Sequence, residues 1–138
     1  MAIHFEWTKS MSVGENHIDE QHKKLLSQLN KIIDAITIGV KSKETSEAIG
    51  FFDEYIKEHF SYEEYYMHEY SYPHVEEHIK KHDEFIKSYV AFLGKLNSGE
   101  NANDLIMEVE TYLGEWWINH IGKEDQKYHY FIDSISKK

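Results

Sequence analysis

The chain has 138 residues, enough for one domain with its own core and too few for a comfortable second. It contains no cysteine, which excludes disulfides, zinc–thiolate sites and iron–sulfur clusters. Its formal charge of −10 with neutral histidines argues against nucleic acid or an anionic membrane as a partner, because both repel an acidic surface.

The opening stretch MAIHFEWTKS lacks the basic and apolar regions of a secretory signal, and no apolar run approaches a membrane span. A single domain over residues 1–138, working in the cytoplasm without membrane insertion, is therefore expected. Ten histidines against one proline, Pro73, suggest long helices and invite a search for metal-ligand spacing.

Behind an N-terminal arm, turn signals near Gly39, at Ser71-Tyr72-Pro73 and at Asn97-Ser98-Gly99 divide the chain into four helix-length segments. In the first, Ile18, Leu25, Leu26, Leu29, Ile32, Ile33 and Ile36 recur at steps of three and four and form one face, with His22 upon it. The second runs Ile49, Phe52, Ile56, His59, Glu63 and then Tyr66 or Met67, so a carboxylate is written into an inward stripe. The third reads Val75, His78, His82, Phe85, Ile86, Tyr89, Leu93 and Leu96. The fourth reads Leu105, Val109, Tyr112, Leu113, Trp116 and His120, followed by a short helical tail from Tyr128 to Ile135. The pattern predicts an all-α, antiparallel up-and-down four-helix bundle.

Every segment thus sends at least one histidine inward. A buried polar group without a partner costs about 1–3 kcal/mol, and several would consume much of the roughly 5–15 kcal/mol that keeps a typical domain folded. A metal at the centre removes the conflict by turning imidazoles and carboxylates into ligands. His59 with Glu63, and His78 with His82, are i, i+4 pairs that can converge on one site. Asp125 follows His120 by five residues, a spacing that drifts off a regular helix, so Asp125 is expected to reach inward from a frayed end.

Imidazole and carboxylate without thiolate suit iron, manganese or zinc. Two bridging carboxylates favour a pair of ions. Five imidazoles, two bridging carboxylates and a bridging oxygen fall one bond short of two octahedral ions, so one ion keeps an open position.

Four stretches, VGENHIDEQHKKL, HFSYEEYYM, HIKKHDEF and WWINHIGKEDQKY, carry these residues, and together they resemble the hemerythrins, in particular the single-domain bacteriohemerythrins. The resemblance implies two iron ions with an oxo or hydroxo bridge. His78, His82 and His120 would hold one, His22 and His59 the other, and Glu63 and Asp125 would bridge them. It implies reversible dioxygen binding at the second ion with no substrate turned over, for carriage, storage or supply to an oxygen-consuming enzyme, by a monomer or weak homo-oligomer. An oxidase, peroxidase or nitric-oxide-handling activity, or an oxygen or iron sensor, are the alternatives on the same scaffold.

Leu25, Phe60, Trp116, Trp117 and Ile121 are expected to line a dry oxygen pocket. The family usually has leucine where this chain has Trp117, so an altered oxygen off-rate or autoxidation rate is expected. His4, His17, His68 and His129 read as surface or partly buried residues, and His74 as surface or capping. Tyr62, Tyr65, Tyr66, Tyr70 and Tyr72 read as packing, and Glu64, a hundred degrees from Glu63 on a helix, as solvated.

Overall fold

The computed structural model describes residues 5–136, so His4 lies outside the described residues. Helix α1 spans Asn16–Ile38, α2 Lys43–Glu69 and α3 Val75–Asn97. The fourth helix, α4, runs unbroken from Ala102 to Ser136. Each of α1, α2 and α4 begins where a side chain accepts from amides that the first turn leaves orphaned. The Glu15 carboxylate accepts from the His17 and Ile18 amides, Ser42 Oγ from the Thr45 amide, and Asn101 Oδ1 from the Asp104 amide. Connections are short, and Ser71 and Gly99 take positive φ in the two that precede α3 and α4. The helices form a ring in which α1 and α3 each touch both α2 and α4.

The tail expected at Tyr128–Ile135 is the last third of α4, not a separate piece. What makes this possible is local widening. Val109–Gly114 and His120–Glu124 are π turns set between the α-helical stretches Ala102–Glu108, Glu115–Asn119 and Asp125–Ser136. Each accommodates an extra residue without breaking the rod. The widening also shifts the face: Tyr112, assigned to the inward stripe, is 68 % exposed, while Leu113 is buried.

Apolar packing is divided along the bundle axis. A larger cluster holds Leu25, Leu29, Ile56, Phe60, Phe85, Trp117 and Ile121 among others, and a smaller one holds Val13, Ile18, Met67, Tyr72, Tyr128 and Ile132. On every helix at least one inward histidine or acid falls in sequence between a member of one cluster and a residue belonging to, or packed on, the other. His22 lies between Ile18 and Leu25, Glu63 between Phe60 and Met67, His78 and His82 between Val75 and Phe85, and Asp125 between Ile121 and Tyr128. The polar residues therefore form one slab sealed by oil above and below, which excludes water and strengthens every charge interaction within it.

The N-terminal arm closes over this bundle. The Phe5 amide donates to Asn30 Oδ1 at 2.7 Å, and Asn30 Nδ2 donates to the Phe5 carbonyl at 2.8 Å. The Phe5 ring occupies the space that a side chain at position 114 would need, so Gly114 in the first π turn leaves room for the ring where any larger residue would displace it. Further along, Gln126 Nε2 donates to the Met11 and Ser12 carbonyls and ties the arm to α4. Among the described residues no helix is long and apolar enough to cross a membrane.

Candidate metal centre

The seven residues expected as ligands meet in the slab. His22, His59, Glu63 and Asp125 are fully buried, and His78, His82 and His120 are at most 2 % exposed. Two groups have ligand atoms close enough to hold an ion: Glu63 with His78, His82 and His120, and Glu63 with His22 and His59. Glu63 belongs to both. Its Oε1 lies 3.1 Å from His78 Nε2 and 2.9 Å from His82 Nε2, while its Oε2 lies 3.4 Å from His22 Nε2 and 3.5 Å from His59 Nε2.

Asp125 spans the same divide. Its Oδ1 is 2.9 Å from His78 Nε2 and 3.0 Å from His120 Nε2, and its Oδ2 is 3.1 Å from His22 Nε2. The i, i+5 spacing is explained by the second π turn, not by fraying. The Asp125 amide donates to the His120 carbonyl, the five-residue bond of a π turn, and this brings both side chains to one side of an unbroken helix.

Glu63 Oε1 is hydrogen-bonded to His78 and His82, but the contacts made by Asp125, His22 and His59 Nε2 are close without being aligned hydrogen bonds. Both Asp125 oxygens, both ring nitrogens of His22 and Nε2 of His59 lack a hydrogen-bond partner among the described residues. Buried polar atoms normally have partners. Lone pairs that crowd a common point at about 3 Å, from imidazole and carboxylate alone, fit divalent cations of the iron, manganese or zinc type.

Electrostatics favour the same occupant. Burial opposes the charge on Glu63 and Asp125, yet the surrounding imidazoles hold both well below the usual carboxylate range, so both are anions. Burial pushes His59 down to about 3 and keeps its imidazole neutral. At His22 and His78 burial also favours the neutral ring, but Asp125 and Glu63 outweigh it and push them up to about 9 and about 10. Two anions in a dry core attract positive charge, and protons and metal ions compete for the same nitrogens.

A further set of residues orients the ligands, and sequence reasoning missed it. His59 Nδ1 donates to Gln21 Oε1 at 2.8 Å and His82 Nδ1 to Glu64 Oε2 at 2.8 Å, which leaves each Nε2 lone pair facing the centre. Glu64 is therefore not solvated: it reaches from α2 to α3, although it is one residue from Glu63. Tyr128 OH donates to Glu63 Oε2 at 2.9 Å. Burial first, then the Glu63 and Asp125 charges, push this phenol well above its ordinary value, so it remains a donor. The one sequence signal was position, since Tyr128 follows Asp125 by a single turn. Glu64→Ala is expected to weaken metal binding by about 10–100-fold with the fold intact, as loss of such outer partners does elsewhere. Competition titration against a chelator would check it.

Of the expected pocket residues, Leu25, Phe60, Trp117 and Ile121 are buried in the larger apolar cluster. Phe60 stacks on His82 at 3.9 Å between ring centres and on Trp117 at 5.5 Å. Trp116 is half-buried, stacks on His120 at 4.3 Å and lines a surface cleft with Lys81, Asn119 and Lys123, on the three-imidazole side. Among the remaining histidines, His17 and His68 are exposed and His129 is half-buried, its ring close against Gly14. His74 precedes α3 without a side-chain capping bond and pairs with Glu77 at the surface, 3.1 Å away. Tyr72 is buried, and Tyr66 packs against Tyr128 at 5.9 Å.

The profile of the hemerythrin HHE cation binding domain matches residues 13–132. The chain belongs to this hemerythrin family. It is similar to the bacteriohemerythrin of Stenotrophomonas maltophilia, 32% identical over 88% of this chain and 77% of that protein. The bacteriohemerythrin of Pseudomonas aeruginosa is 30% identical over 96% of this chain and 82% of its own length. A solved crystal structure of a leucine-to-phenylalanine mutant superposes with a TM-score of 0.78 at 26% identity, covering 96% of this chain and 98% of that one. Family membership makes this a cation-binding hemerythrin bundle, and the histidine–carboxylate slab is the cluster in it that could hold the cation.

Proposed function

We propose that this hemerythrin binds dioxygen reversibly at a pair of iron ions and turns over no substrate. His78, His82 and His120 would hold one ion and His22 and His59 the other, with Glu63 and Asp125 shared between them. Iron so held would supply the electrons and the coordination position that dioxygen needs. The observation that carries the reading is the division of five buried imidazoles into a group of three and a group of two around shared carboxylates.

The chain's own residues do the rest. With one imidazole fewer, the His22–His59 side leaves a position for a small ligand. Leu25, Phe60, Trp117 and Ile121 keep water from it, and Tyr128, Gln21 and Glu64 hold the ligating groups in place. Carriage, storage or supply to an oxygen-consuming enzyme follows from this chemistry, for a single domain over residues 1–138 acting in the cytoplasm as a monomer or weak homo-oligomer.

The test is an optical spectrum of the anaerobically reduced, iron-loaded protein before air, after air and after oxygen is removed again. A charge-transfer band that appears with air and fades on deoxygenation is the expected result. Direct, irreversible passage to the ferric spectrum would overturn reversible binding in favour of an oxidase, a nitric-oxide-handling protein or a sensor.

A further inference from the structure

The partnerless imidazole nitrogens that face the centre lie on one side of the slab. His82 Nε2 and His78 Nε2 have hydrogen-bond partners in Glu63, whereas His22 Nε2 and His59 Nε2 have none. One more partnerless group stands beside them. The indole N–H of Trp117 is buried and finds no acceptor on any described residue. Its ring centre is 5.8 Å from that of His59, and the ring lies nearly parallel to Phe60 at 5.5 Å.

Trp117 is fully buried, so bulk water does not satisfy this donor. An orphaned buried donor costs stability that phenylalanine or leucine would not, since either fills apolar space with no group left to satisfy. A donor kept here at that cost implies an acceptor that the folded chain does not itself provide.

We infer that Trp117 Nε1 donates a hydrogen bond to the small ligand bound on the His22–His59 side, and that Trp117 thereby sets which ligands the site retains. The favoured class is a small molecule whose outer atom accepts a hydrogen bond once it carries negative charge, such as dioxygen or azide. This inference rests on the proposed pair of iron ions and makes Trp117 a specificity-determining residue of that centre, not a mere wall of its pocket.

Azide bound to the diferric protein is the probe, followed by its charge-transfer band for affinity and its infrared stretch for environment. Trp117→Phe keeps an aromatic ring and removes the donor. Azide is expected to bind about tenfold more weakly to this variant, the scale of a hydrogen bond to a charged ligand. The stretch is expected to move, and the small shift it shows on transfer of the native protein to D2O is expected to vanish. That D2O shift is read on the unmutated protein, so the test survives a variant that fails to fold. Normal azide binding with no D2O shift, or with equal affinity and an unchanged stretch in the two proteins, would overturn the donor role alone. No azide band in the native protein would overturn the paired-iron reading and this inference with it.

Discussion

On the proposed two-ion centre, replacing Glu63 with alanine is expected to collapse metal loading from two ions per chain to at most one. Glu63 is the one residue common to both ligand groups, with Oε1 facing His78 and His82 and Oε2 facing His22 and His59. Its removal also leaves the Tyr128 hydroxyl without its acceptor and Asp125 as the sole anion among five imidazoles. Breaking a buried charge network by deleting one member costs about 3–5 kcal/mol. Affinity for whatever ion remains is expected to fall by more than the about 10–100-fold that loss of an outer partner costs, because a direct anionic donor is gone. Elemental analysis of the purified variant, with a chelator titration, reads both quantities. Glu64→Ala, which loses only an orienting partner of His82, is the matched comparison and keeps both ions. Full two-ion loading of the Glu63 variant would show that the carboxylate is not shared between ions.

The sequence reads most clearly where helix geometry is regular. On α1, α2 and α3 each expected ligand is three, four or seven residues from its apolar neighbours on the same face, and every one is buried where that periodicity places it. On α4 the reading weakens for one physical cause. Two π turns each add a residue to a turn, so a stripe counted at 3.6 residues per turn drifts, which moves Tyr112 to the surface. The same effect hides the reason for the His120–Asp125 spacing, because five residues fit a π turn and misfit an α turn. Neither turn has a sequence signature beyond glycine, and the role of Gly114 shows only once Phe5 of the arm is seen against it. Long-range orientation was the second blind spot. Glu64, Gln21 and Tyr128 act on residues 18, 38 and 65 positions away, and no local periodicity encodes those distances.

Stripping the cation is expected to leave a folded protein whose stability falls steadily as pH rises above about 6.5, whereas the loaded protein stays level over the same range. In the ion-free chain the carboxylates are compensated by protons on the imidazoles. His22 and His78, raised from 6.5 to about 9 and about 10, contribute stability that is fully present below 6.5 and is lost as pH climbs through those values. Above them two anions remain in a dry core without compensation. The loss is of the order of several kcal/mol, since each tenfold gain in proton affinity on folding is worth about 1.36 kcal/mol. His59, pushed down to about 3 by burial, acts in the opposite window: the stability of its neutral form is lost as pH falls from 6.5 towards that value. A bound dication compensates Glu63 and Asp125 without titrating, and it binds best where the imidazoles have given up their protons. The gap between loaded and ion-free unfolding midpoints therefore widens as pH rises from 6.5 through the values at which His22 and His78 lose their protons. Denaturant unfolding of both forms at several pH values across that range measures it. Parallel pH profiles for the two forms would mean that protons and metal do not share the same nitrogens, and the cluster would have to be read as a structural charge network instead of a cation site.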